Sequence, residues 1–190
     1  MLRLRMAGGS VPDSGKKRKT VLRTIRLGAD VSEKMEAKAK AGGSSVNSLL
    51  SSVITRYAEW DELAQRFGFM DISKEFFRLY LETADDEKLK KITMERQPAI
   101  YSDLLRFWFG EVSPDSFVRW LVRMSTYGWW LQVEPRVTGR EYVLVIRHEF
   151  DMKFSMFLKW TFESVIKSLF KATPQIEATA SSLYIKFTVP

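Results

Sequence analysis

Lys16, Lys17, Arg18 and Lys19 stand in an unbroken run, with Arg23 and Arg26 a few residues on. The chemistry open to such a set is electrostatic: ammonium and guanidinium groups spaced to meet a line of phosphates. With Arg3 and Arg5 these make eight basic side chains in residues 1–27, against the single acid Asp13. The resulting +7 is the net charge of the whole 190-residue chain, so residues 28–190 are neutral. Charge serving solubility alone would be spread out. Gathered at one end, it points to a polyanion as partner, and double-stranded DNA is the commonest one. An ordinary charged tail is the competing reading; the abutting strand pattern described below favours contact with DNA.

Covalent chemistry finds few candidates. The chain has no cysteine, which excludes disulfides, thiolate nucleophiles and thiolate metal sites. His148 is the only histidine, too few for a histidine-rich metal site or a histidine-paired nucleophile within one chain. It reads as a hydrogen-bonded structural residue rather than a pH sensor. Glu134, Glu141, Glu149 and Asp151 lie near expected strand ends, but no spacing joins any two as an acid–base pair. Asp85, Asp86 and Glu87 suit the first turn of a helix, where carboxylates meet the positive end of the dipole. No catalytic residue, metal ligand or cofactor is assigned, and the expectation is a protein that is not an enzyme.

The elements that would position the basic groups come next. Residues 1–19 are almost without apolar content and read as a disordered basic arm. Residues 20–27 alternate with period two: Val21, Arg23, Ile25 and Leu27 on one face of a strand, Leu22, Thr24 and Arg26 on the other. Asp30 with Glu33 three residues on has the spacing of a capping box opening a helix, with Val31, Met35 and Ala39 as a thin apolar stripe. Gly42 and Gly43 end it. A second helix begins at Ser44 or Ser45, and Val46, Leu49, Leu50, Val53, Ile54 and Tyr57 give it a wide apolar face. One thin helix and one strand cannot cover that face, and a lone strand cannot satisfy its own amides. Two copies pairing strand to strand and helix to helix would meet both needs.

This order of strand, helix, glycine turn and helix resembles the ribbon-helix-helix family of DNA-binding proteins. The resemblance rests on Thr24-Ile25-Arg26-Leu27, Asp30-Val31-Ser32-Glu33 and Ser45-Val46-Asn47-Ser48, and covers about residues 20–60. Gly28 departs from the proline that many members carry after the strand. The resemblance implies an intertwined dimer whose two-stranded ribbon enters the major groove, with Leu22, Thr24 and Arg26 facing the bases. Arg26 would be the chief base reader, bonding both acceptors of a guanine, and Thr24 would bond a base or pack on a thymine methyl. Ser45, Val46 and Asn47 would hold a phosphate at the helix N-terminus, beside those met by Lys16, Lys17, Arg18 and Lys19. Ile25, Leu27, Leu49, Leu50, Val53 and Ile54 would form the dimer core. A strand-swapped dimer using the motif only to pair is the alternative.

Of 25 aromatic residues, only Tyr57 and Trp60 fall in the first 60, so the rear of the chain is the core-rich part. The second helix continues through Trp60, Leu63, Ala64 and Phe67 towards Gly68. Residues 61–97 are expected as a helical connector, with helices over 73–83 and 85–96 and a boundary at Gln97-Pro98. Residues 98–190 are expected as a separate α+β domain. It would hold helices at Tyr101–Phe109 and Pro114–Met124, the latter capped by Ser113. A hairpin of Trp129–Arg136 with Glu141–Arg147 around Thr138-Gly139 would follow. The amphipathic helix Phe150–Phe170 and a final strand pair, Ile176–Ala180 with Leu183–Val189, would complete it. Phe157 and Trp160 lie off the main apolar face of that helix, which suggests a second dimer contact.

In element order this rear part is similar to the C-terminal half of haem-nitric-oxide-binding domains and to 4-vinyl-reductase-like ligand-binding domains. The Tyr-x-Ser-x-Arg signature is missing, since Glu149-Phe150-Asp151-Met152-Lys153 follows His148, and haem binding does not carry over.

The fold class expected is therefore α+β, a dimeric ribbon-helix-helix module followed by a helical connector and an antiparallel α+β sensory or oligomerisation domain. The function expected is a sequence-specific DNA-binding transcription regulator, a homodimer or higher homo-oligomer. A small-molecule or protein effector would act on the rear domain. An antitoxin-type repressor with a partner-binding rear domain and an architectural DNA-coating protein are the alternatives. No long apolar run suits a membrane span, and no apolar stretch follows Arg3 and Arg5, so a cytoplasmic, nucleoid-associated location is expected.

Overall fold

The structure, a computed structural model, describes residues 21–128 and 130–190. It divides into two units after Leu50. In the first, residues 21–28 lie outside regular secondary structure with their side chains exposed. Of the strand expected over 20–27, the described residues 21–27 form none, because a strand needs a neighbour for its amides and carbonyls and none of the described strands pairs with this run. Helix α1 (Ala29–Ala41) follows. Gly28, not Asp30, is its N-cap: the Val31 and Ser32 amides donate to the Gly28 carbonyl, and Asp30 sits inside the first turn. The Asp30/Glu33 capping box is therefore not made. Lys38 and Lys40 occupy the last turn, where cations suit the negative end of the dipole. Gly43, at φ +65°, supplies the left-handed step that lets Ser44 N–H reach back to the Ala39 carbonyl.

Helix α2 (Val46–Arg56) starts where Ser45 Oγ accepts from Ser48 N–H at 3.1 Å. It passes through one π turn, Tyr57–Asp61, into α3 (Glu62–Phe67), which ends at Gly68 with φ +94°. The turn coincides with an i,i+5 ion pair, Arg56 Nε to Asp61 Oδ1 at 3.1 Å, the spacing that a π turn closes and an α turn does not.

The second unit is a four-stranded antiparallel sheet with helices on one face, an α+β arrangement. Helices α4 (Lys74–Thr83), α5 (Asp86–Phe109) and α6 (Pro114–Tyr127) precede strands β1 (Leu131–Thr138) and β2 (Glu141–His148). Helix α7 (Met152–Phe170) leads to β3 (Gln175–Ala178) and β4 (Ser182–Thr188). The sheet order is β1-β2-β4-β3, so the last strand inserts beside β2. Leu144 opposes both Pro135 and Ile185, which puts Tyr142, Leu144, Ile146 and His148 of β2 on the same inward face as Leu183, Ile185 and Phe187 of β4. Pro135, with no amide to donate, is tolerated because β1 is an edge strand.

Helix α7 packs on β3 and β4 and also on α5. Phe154, Phe162, Val165 and Ile166 are fully buried, each contributing about 1.5–3 kcal/mol over the exposed state. Trp160 is buried too, and Phe157 is half-buried against the core, so both residues expected to need a second chain find cover within this one.

Two further expectations are corrected. The helices read separately at 85–96 and 101–109 are one, and Pro98 lies inside it. Proline removes the amide that would bond residue 94, yet α5 stays continuous because Thr93 before it and Leu104, Leu105 and Trp108 after it are all anchored in the core. The boundary at Gln97-Pro98 therefore falls within an element. Nor are residues 61–97 a connector, since Ala64 and Leu81 belong to the same core as the sheet.

Candidate functional site

Two regions were open to a functional role, the front motif and whatever the aromatic-rich rear encloses. Lys16, Lys17, Arg18 and Lys19 lie outside the described residues. Leu22, Thr24 and Arg26 are all exposed, Leu22 by 93%. Ile25 and Leu27, from the opposite face of the expected strand, are exposed as well. Ser45 caps α2, and Val46 and Asn47 open it, so their amides precede the first intrahelical acceptors and point out of the helix start. Along α2, Leu49 and Leu50 are half-buried while Val53 and Ile54 are 49% and 56% exposed. The structure thus forms the two helices around the glycine turn and, of the apolar groups assigned to the dimer core, leaves Ile25, Leu27, Val53 and Ile54 exposed within one chain.

The second region was not found from sequence. Within the rear unit a cleft of about 770 Å³ opens between the helix run around Trp60, the loop after Gly68, the end of α6 and the start of α7. Arg56, Trp60, Asp61, Ala64 and Gln65 line one side at the four- and five-residue steps that the π turn sets. Phe69, Met70, Asp71 and Ile72 form the loop wall. Trp60 anchors the site: its ring stacks on Phe69 at 6.1 Å and on Trp120 at 5.5 Å, with Tyr127 at 6.0 Å. Tyr127 donates its hydroxyl to Glu59 Oε2 at 2.8 Å, and Arg123 donates to the Glu59 carbonyl, also at 2.8 Å, so α6 holds the π turn in place. Burial and the Glu59 carboxylate raise the Tyr127 phenol above its ordinary pKa, so it stays a donor. The charged rim is mostly self-neutralised: Arg56 pairs with Asp61, and Lys74 with Glu149. The cation from Lys74 holds the Glu149 carboxyl below the usual range. Asp71 makes no ion pair or hydrogen bond among the described residues. The periodicity of Trp60, Ala64 and Phe67 marks a buried stripe, but nothing in it shows that residues as distant as Met124 and Phe150 close a cleft over it.

His148 has a structural place. Its Nδ1 accepts from Phe150 N–H at 3.2 Å, which leaves the proton on Nε2, 2.8 Å from Ser155 Oγ. Ser155 in turn donates to the Thr179 carbonyl at 2.5 Å. The chain of bonds ties the end of β2 to α7 and to the β3–β4 turn, and burial lowers the imidazole pKa. Tyr142 donates to Asp115 Oδ1 at 2.8 Å, and burial with that carboxylate pushes its phenol up to about 12. Glu134 and Glu141 pair across the open sheet face with Arg147 and Lys186. No group of three His, Cys, Asp or Glu able to hold a metal gathers among the described residues, and no described helix is long and apolar enough to cross a membrane. No protein-family model and no curated protein matches this chain.

Proposed function

We propose that this chain is a DNA-binding transcription regulator that acts as a homodimer, with residues 20–60 as a ribbon-helix-helix module. The observation that carries the reading is the uncovered apolar face of α2: Val53 and Ile54 lie half-exposed on a helix whose spacing is that of a buried one. A second copy laid against it covers that face, and the same pairing brings two runs of residues 20–27 side by side as the ribbon. Thr24 and Arg26 then reach base edges, and the α2 N-terminus with the Lys16–Lys19 run meets phosphates on either side. All of the chain's net charge lies in residues 1–27, as a phosphate-contacting surface requires. The packed rear unit, too large and too well ordered for the short tail of an antitoxin, serves as the regulatory part.

The test is sedimentation of the full chain together with duplex titration, for the parent and for the double variant Val53→Asp/Ile54→Asp. Both side chains are exposed in the single chain, so the variant keeps its helices. The expected result is a dimeric parent that binds duplex DNA, and a monomeric variant with the parent's circular dichroism and much weaker binding. A monomeric parent, or a variant that binds as well as the parent, overturns the proposal.

A further inference from the structure

We infer that the cleft around Trp60 is a binding site for a flat aromatic cation. The inference concerns the rear unit alone and does not depend on the DNA reading. At about 770 Å³ the cleft is within the range of small-molecule sites, and six rings stand in its walls: Trp60, Phe69, Phe77, Tyr127, Trp130 and Phe150. Trp60 and Phe69 already stack on each other and on Trp120, whereas Phe77, Trp130 and Phe150 meet their ring neighbours edge-on or tilted; ring faces carry the negative part of the aromatic quadrupole, so a planar cation is held there by stacking and by charge together. The rim charges select the sign. Arg56 is neutralised by Asp61 and Lys74 by Glu149, so an anion would have to break an existing pair to find its counter-charge. The one lining charge without a partner among the described residues is the Asp71 carboxylate, on the loop that carries Phe69 and Met70. The π turn is the second feature, because it sets Trp60 and Asp61 on the cleft wall at the cost of regular helix geometry. Turns of this kind are rare and gather at binding sites.

The loop is built to adapt. Met70 is 81% exposed and unbranched, so its side chain can settle on ligands of different outline. What the ligand must supply is a planar ring system and one delocalised positive charge.

The experiment titrates the full chain with N-methylacridinium, with neutral acridine in mildly alkaline buffer, and with anionic anilinonaphthalene sulfonate, following quenching of tryptophan fluorescence. N-methylacridinium is expected to bind roughly tenfold more tightly than acridine. Asp71→Asn, at an exposed position that leaves the fold alone, should reduce that preference while acridine binding stays as it was. Equal affinity for the cation and the neutral ring, a preference for the anion, an unchanged preference in Asp71→Asn, or no saturable quenching by the cation each overturns the inference. None of these outcomes involves DNA, so failure here is distinct from failure of the proposed function.

Discussion

Trp60→Ala removes the side chain on which the rear core and the cleft both depend. The indole is 9% exposed and touches four rings, Phe69, Trp108, Trp120 and Tyr127, at centroid distances of 6.1, 6.0, 5.5 and 6.0 Å. Truncating a buried tryptophan costs about 3–5 kcal/mol, lost transfer energy and residual cavity together. The surroundings can collapse only partly, since Trp108 and Trp120 are themselves fixed by their own T-shaped contact at 4.9 Å. At roughly 2–4 °C per kcal/mol for a domain of this size, the melting temperature should fall by about 6–20 °C. Phe76→Ala is the control: its ring is 61% exposed on α4, and its loss should stay within about 0.5 kcal/mol. Both variants would be melted by circular dichroism and unfolded in urea with the m-value compared. If Trp60→Ala melts within a few degrees of Phe76→Ala, the ring cluster is not the anchor described here.

Three further outcomes are expected. Thr161 is buried with its hydroxyl unpartnered among the described residues, so Thr161→Val, of nearly the same shape, should stabilise the chain by about 1 kcal/mol in urea titration; a loss of stability would mean that the hydroxyl is bonded after all. His148 has a folded pKa below its ordinary 6.5, so its contribution to stability is present above that pH and is lost as the pH falls through the lowered value. The urea midpoint of the parent should therefore fall on acidification below about 6.5, and His148→Gln should flatten that part of the profile. Arg26→Ala should leave the oligomer unchanged and cost about 1–3 kcal/mol on the best duplex, seen as a loss of preference in competition titration; undiminished preference would remove Arg26 from the reading surface.

What could be foreseen from sequence was local. The Ser45 cap, the end of the helix run at Gly68, the hairpin at Gly139 and the length of α7 all rest on neighbours within a few residues, and the structure forms each of them. The fusion of two helices through Pro98 was missed because the local rule against proline is overridden by distant packing at Thr93 and Leu105. Likewise Asp30 has the spacing of a cap, but Gly28 reaches the first amides before it. The strand order, with β4 next to β2, and the cleft both depend on residues far apart in sequence, where periodicity carries no information. The side-chain alternation of residues 20–27 is legible, but none of the described strands pairs with residues 21–27.

Whether paired copies of this chain read duplex DNA is tested most directly by selecting bound duplexes from a random pool with the full-length protein at moderate salt. The proposal predicts enrichment of a short site made of two half-sites related by two-fold symmetry, as an antiparallel ribbon from two identical chains requires. A pool that stays random through successive rounds, or a protein that retains no duplex even at low salt, would contradict it.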